Sequence, residues 1–207
     1  MTEQSAPIKF DSPRQITPED QARANFYALL ANLFYRAPDD RLLQAVAVAE
    51  PPDGALHDAW VALGDAASVT PADAVYEEYE ELFIGVGKAP ISLYGSVYLA
   101  GFMMEKPLAE LRDTLAEMGF SRSGTVREPE DHVAALCDVM RALIVGDVNH
   151  APAPIAAQHK FFSTHMQPWI EDCMGSISAY HRANFYKRVA VFASVFFEVE
   201  KDAFEMS

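Results

Sequence analysis

The chain has 207 residues, half of them hydrophobic and 22% charged, and its 30 acidic against 16 basic side chains give a formal net charge of -14. That length suits one domain with a sizeable core. The charge argues against nucleic acid, whose phosphates need Lys and Arg, and against an anionic membrane surface; it favours a cationic partner, although an acidic surface also serves solubility alone.

In chain order, residues 1–16 are polar with Pro7 and Pro13 and read as a flexible arm, followed by one all-helical domain over 17–207. Thr17-Pro18-Glu19-Asp20 supplies a hydroxyl N-cap, a Pro at the first helical position and acids near the positive end of the helix dipole. Phe26, Leu29, Leu30, Leu33 and Phe34 then form one apolar stripe, and Ala37-Pro38 closes the helix. Shorter helices are expected over 41–49 and 55–63. Thr70-Pro71-Ala72-Asp73 repeats the opening and leads through Val75, Tyr79, Leu82 and Phe83. Tyr76 to Phe83 is the densest acidic patch: a solvated helix face, or an acidic rim beside an apolar groove.

Residues 85–95 (GVGKAPISLYG) form a Gly- and Pro-bearing connection that carries Ile91, Leu93 and Tyr94. Apolar groups on a connection point to a binding surface more than to a spacer. Gly85, Gly87 and Lys88 only partly resemble a phosphate loop: the glycine spacing is wrong, Ala89 replaces the hydroxyl residue, and the preceding segment is helical. A turn needing positive φ is the favoured reading, and Gly85, Gly87 and Gly95 are candidate hinges.

Helices are expected over 107–118, from Glu128-Pro129-Glu130-Asp131 through Ile144, over 158–174, and from a Ser176 cap through Ile177, Tyr180, Asn184 and Val199. Period-two alternation beside tight turns is missing, so the expected fold class is an all-α bundle with a Gly/Pro-containing loop in mid-chain. The Glu128-to-His132 cluster admits helix capping, part of a metal site, acid/base catalysis, or a polar recognition pocket in which Asp131 and His132 meet a guanidinium or backbone amides. Trp169, in His165-x-x-Pro168-Trp169, reads as core with an indole N–H that needs an acceptor, which His165 could supply unless it bonds a backbone carbonyl instead. Cys137 and Cys173 stand alone, without CxxC spacing. The N-terminus lacks a secretory pattern, and the longest apolar stretch, 189–197, is too short to span a bilayer, so the expected location is cytoplasmic.

Four segments in order carry a resemblance: Leu33-Phe34-Tyr35-Arg36-Ala37-Pro38, the run Tyr79-Glu80-Glu81-Leu82-Phe83-Ile84-Gly85 continuing to Tyr94-Gly95-Ser96-Val97-Tyr98-Leu99, Glu128-Pro129-Glu130-Asp131-His132, and His165-x-x-Pro168-Trp169. Together they resemble the TorD/DmsD/NarJ family of redox-enzyme maturation chaperones over about residues 22–200. The resemblance implies an all-helical, non-enzymatic chaperone without a cofactor. Its partner would be a molybdoenzyme catalytic subunit precursor, held through a leader that is often a twin-arginine signal peptide, with molybdenum-cofactor delivery proteins as further partners. Either a monomer or a dimer is compatible with it. It implies peptide-binding positions at Tyr35, Tyr79, Leu82, Phe83, Leu93, Tyr94, Asp131 and His132. The chain departs from DmsD-like members at Leu93, where a second proline is common, and at Tyr79 and Tyr94, where tryptophan is common. The rival readings are a nucleotide-binding switch built on Gly85, Gly87, Lys88, Asp131 and His132, and a structural scaffold or assembly subunit.

Overall fold

The computed structural model describes residues 15–85, 87, 89–103, 105–121 and 128–206, and among these it is all helical. Ten α-helices follow in order: α1 (Pro18–Tyr35), α2 (Asp40–Val48), α3 (His57–Val69), α4 (Ala72–Tyr79), α5 (Gly95–Ala100), α6 (Lys106–Glu117), α7 (Val133–Val145), α8 (Ile155–His165), α9 (Gln167–Ala179) and α10 (Phe185–Glu205). No described helix is long and apolar enough to cross a membrane. Most of the expected N-terminal arm, residues 1–14, lies outside the described residues.

The start of α1 behaves as its sequence dictates. Thr17 Oγ1 accepts from the Asp20 N–H at 3.0 Å and Asp20 Oδ2 accepts from the Thr17 N–H at 3.2 Å, a reciprocal capping box. The bundle is organised around α10, whose buried Phe185, Tyr186, Val189, Ala190, Phe192, Ala193, Phe196 and Phe197 repeat at the helical period. It packs on α9, α3 and α4, while α1 lies along α7. Tyr27 meets Phe196 edge-on at 4.9 Å, and Trp60 meets Phe192 at 5.2 Å. Cys137 and Cys173 are both buried and unpaired.

Buried polar groups lock the start of α1 to α10. Arg23 Nε and Nη2 donate to the two carboxylate oxygens of Glu200 at 2.6 and 2.8 Å, Nη2 also reaches Gln158 Oε1 at 3.3 Å, and Nη1 reaches Asp20 at 3.4 Å. Glu200 is 1% exposed, so this fork is what makes its charge tolerable inside the protein.

Four local expectations need correction. The final helix does not begin at Ser176: the Ser176 hydroxyl donates to the Asp172 carbonyl inside α9, the chain breaks over 180–184, and α10 starts at Phe185. Its cap comes from far away, because Glu78 accepts from the N–H groups of Asn184, Phe185 and Tyr186 at 2.8–3.0 Å. The segment 158–174 is two helices, α8 and α9, divided at Met166 where Pro168 begins a new helix. Thr70 ends α3, its hydroxyl donating to the Ala66 carbonyl, and Pro71 stands before α4. Finally, Glu128 to Asp131 is not the first turn of a helix: α7 begins at Val133, capped by His132.

Candidate functional site: a two-chambered cleft

The cleft is built where α4 ends. After Tyr79 the helix widens for five residues, Glu80–Ile84, and the Gly85 N–H donates to the Glu80 carbonyl at 2.7 Å. Such a π-type turn re-aims the side chains that follow it and recurs at functional sites. Gly85 at φ 63° then stops the helix, and Gly87 at φ 94° turns the chain again, which is the positive-φ turn expected of this segment. Lys88 lies outside the described residues. The connection returns when the Ile91 N–H donates to the Leu82 carbonyl at 3.2 Å.

Next, Leu93 to Gly95 pairs with the Glu-Pro-Glu-Asp-His segment. Tyr94 and His132 form an antiparallel bridge, with the Val133 N–H on the Leu93 carbonyl at 2.9 Å and the Gly95 N–H on the Asp131 carbonyl at 3.0 Å. Two signatures that are distant in sequence are thereby fixed side by side.

The acids of this segment have divided roles. Asp131 is 4% exposed, and its Oδ2 accepts from the Ser96 N–H at 2.8 Å, in the first turn of α5. It caps a helix, as its residue type suggests, but α5 and not its own. Its other oxygen, Oδ1, has no hydrogen-bond partner among the described residues. Glu130 takes the Arg112 guanidinium at 2.8–3.0 Å. Glu128 Oε2 accepts from the Tyr94 hydroxyl. Burial, then the bond to Glu128 and its charge, push the Tyr94 phenol well above its ordinary range.

His132 is 5% exposed and stands against the Tyr94 ring at 5.0 Å. Its Nδ1 accepts from the Ala134 N–H at 3.1 Å, which places the ring proton on Nε2. Burial lowers its pKa to about 4 although Glu128 and Asp131 pull the other way. The imidazole is therefore a neutral donor at pH 7.

The last signature supports the cleft from behind. Trp169 donates to the His165 carbonyl at 2.8 Å, stacks on Tyr98 at 5.5 Å and lies flat under Gly95. A Cβ at Gly95 would stand 2.9 Å from the indole, so this glycine serves close packing.

Six of the eight anticipated residues, Tyr35, Tyr79, Phe83, Leu93, Tyr94 and His132, line one cavity of about 590 Å³. Tyr79 fixes the end of α1 there, its hydroxyl donating to the Phe34 and Tyr35 carbonyls at 3.2 and 3.0 Å. The other two stand back from it: Leu82 is fully buried beneath, and Asp131 is held on α5. The sequence reading missed Glu128 as the acid that faces the cavity, and Ile84, Phe102 and Met103 on its lining. A Gly-flanked pair of large apolar residues, Gly101-Phe102-Met103, was the available signal for the last two.

A second cavity of about 490 Å³, lined by Arg112, Leu115, Phe120, Glu130, Ala134 and Asp138, shares Tyr35, Glu128 and His132 with the first. The cleft is thus an aromatic chamber joined to one bearing three carboxylates. Among the described residues no three metal-ligating side chains converge.

Residues 49–175, more than half of the chain, match the family model described as nitrate reductase delta subunit. The chaperone protein TorD of Shewanella loihica is 25% identical over 211 residues, covering 90% of this chain and 95% of that protein. TorD of Vibrio parahaemolyticus is 21% identical over 202 residues, 86% and 92% of the two chains. A chain from Haemophilus influenzae described as a Tat proofreading chaperone DmsD is 27% identical over 119 residues, 56% of this chain and 55% of its own. The crystal structure described as that of a redox enzyme maturation protein from Archaeoglobus fulgidus superposes with a TM-score of 0.56 at 16% identity, covering 94% and 98% of the two chains, a likeness that concerns the fold. The family resemblance carried by the four signatures is therefore borne out, and this chain belongs to the nitrate reductase delta subunit family.

Proposed function

We propose that this protein is a non-enzymatic chaperone for a molybdenum-containing redox enzyme, binding the leader of the catalytic subunit precursor while that subunit matures. The observation that carries the reading is the convergence of Tyr35, Tyr79, Phe83, Leu93, Tyr94 and His132, drawn from three separated signatures, on one apolar cavity with Glu128 at its edge. Such a surface suits an extended peptide that is both apolar and cationic, because rings and aliphatic groups cover the first part and a carboxylate takes a guanidinium. The neutral imidazole of His132 adds a donor for a peptide carbonyl. The names of the relatives, TorD and DmsD chaperones, support the same reading.

The test is calorimetric titration with the leader peptide of a molybdoenzyme subunit. Affinity is expected to fall as salt rises, and Tyr94→Ala or His132→Ala should each weaken it by about 1–2 kcal/mol while helix content stays constant. Unchanged affinity in both variants would move the site elsewhere.

A further inference from the structure

One imidazole ties the end of α6 to the connection between α7 and α8. After Glu117 the chain makes a Schellman turn: the Gly119 N–H donates to the Ala116 carbonyl at 3.0 Å and the Phe120 N–H to the Leu115 carbonyl at 2.9 Å, with Gly119 at φ 82°. Across from it, Gly146 at φ 79° turns the chain out of α7 into a tight loop, closed by the Asp147 N–H on the His150 carbonyl at 2.8 Å. Inside that loop Asp147 Oδ1 accepts from the Asn149 and His150 N–H groups at 2.7 and 2.8 Å. The His150 ring stands between loop and turn. Its Nδ1 is 2.8 Å from Asp147 Oδ1, and its Nε2 is 3.1 Å from the Gly119 carbonyl oxygen. Its face lies on the Phe120 ring, with centroids 4.3 Å apart. Phe120 in turn lines two cavities: one of about 350 Å³ beside His150, and the chamber of the cleft that contains Tyr35 and His132.

Both ring nitrogens of His150 thus face acceptors. A neutral imidazole has one N–H and serves one of them; only the imidazolium donates to both. A cation is also favoured at the C-terminal end of α6. The bonds to Gly119 and Asp147 accordingly raise the His150 pKa from its ordinary 6.5. Asp147 is held below the usual carboxylate range, first by the Asn149 amide and then by His150, so it stays ionised while the ring titrates. Among the described residues no other charged group acts on the ring: the neighbours it meets are Met118 after α6, Ala142 and Leu143 on α7 and Ala157 on α8, all uncharged.

We infer, building on the leader-binding reading above, that His150 is a pH-responsive clasp on the cleft: charged, it fixes Phe120 as a wall of the chamber, and on losing its proton it releases one of its two acceptors and frees the end of α6 from the loop. Since the folded pKa lies above 6.5, the clasp is fully present below 6.5 and is lost as pH rises through the folded value. A preformed wall binds more tightly than one that must be ordered by its ligand, so leader affinity falls as the clasp opens.

The test is an NMR titration of the full chain from pH 5.5 to 8.5, as wild type, as Asp147→Asn and as His150→Phe, which keeps a ring on Phe120 and removes both bonds. In the wild type the His150 ring resonances should titrate with a midpoint above 6.5, and the Gly119 and Phe120 amides should move with the same midpoint. Protection of the Phe120 N–H against hydrogen exchange, corrected for its intrinsic rate, should fall by at least about threefold across that transition. Asp147→Asn should bring the midpoint back toward the ordinary value, and His150→Phe should leave the two amides without the transition. A His150 midpoint at or below 6.5, or Gly119 and Phe120 amides that do not follow it, overturns the clasp. A synthetic leader peptide, with adjacent arginines followed by an apolar run, is then titrated calorimetrically at pH 6 and 8.5. The wild type should bind it about threefold to tenfold more weakly at the higher pH, and His150→Phe equally at both. A clasp that titrates while wild-type affinity stays constant overturns its control of the cleft and leaves leader binding intact. If the peptide binds at neither pH, the leader-binding reading fails, and control of the cleft fails with it even where the amides titrate.

Discussion

The two ends of α1 contrast in how they treat polar and apolar groups. Near its start, Arg23 is enclosed with Glu200, Asp20 and Gln158, each within hydrogen-bond reach. At its end, Tyr35 is half exposed on a cleft rimmed by Ile84, Phe102 and Met103. Its 18 residues span about 27 Å at 1.5 Å per residue, so one rigid rod joins a closed clasp to an open site. The difference teaches where each kind of group is tolerated. Charges go inside where a fork of donors meets them, and large apolar surface stays outside where another molecule can cover it.

Breaking the clasp should give the largest effect. Arg23→Met leaves Glu200 buried without its guanidinium and is expected to cost about 3–5 kcal/mol in urea unfolding, with much of the loss recovered in the Arg23→Met/Glu200→Met double variant. Leader affinity of the folded variant should not change. A parallel loss of affinity would show that the two ends are coupled and that the contrast drawn here is false.

Acid should act at the other end, through His132. Its folded pKa of about 4 lies below the ordinary 6.5, so between those values the unfolded chain binds the proton and the folded chain does not. Stability therefore falls as pH drops through 6.5 toward about 4, by up to about 3 kcal/mol from this group. Thermal unfolding at pH 7.5 and 4.5 should show His132→Asn, which keeps a side-chain cap for α7, losing less on acidification than the wild type. Equal losses in both would place the acid-sensitive group elsewhere.

A smaller change sharpens the account of the floor. Gly95→Ala forces a methyl against an indole that is 1% exposed and fixed by its bond to the His165 carbonyl, and should cost about 1–3 kcal/mol in denaturant unfolding. Because α5 leads directly to Phe102 and Met103, peptide affinity should fall as well, unlike in Arg23→Met. No loss of stability would mean that the packing under α5 is loose.

The sequence by itself determined the helical class, the start of α1 and six of the residues that line the cavity after α4. Periodic apolar residues and a Thr-Pro-Glu-Asp opening act within a few residues, so they can be read locally. Tyr35, Tyr79, Phe83, Leu93, Tyr94 and His132 were nameable from their signatures. Only the tertiary structure decided what the acids do. Asp131 caps α5 and Glu78 caps α10, across separations of 35 and 106–108 residues, and a carboxylate looks the same in sequence whether its amides are near or far. The break over 180–184 and the exposed Phe102–Met103 rim were equally hidden, because both depend on which surfaces the rest of the chain covers.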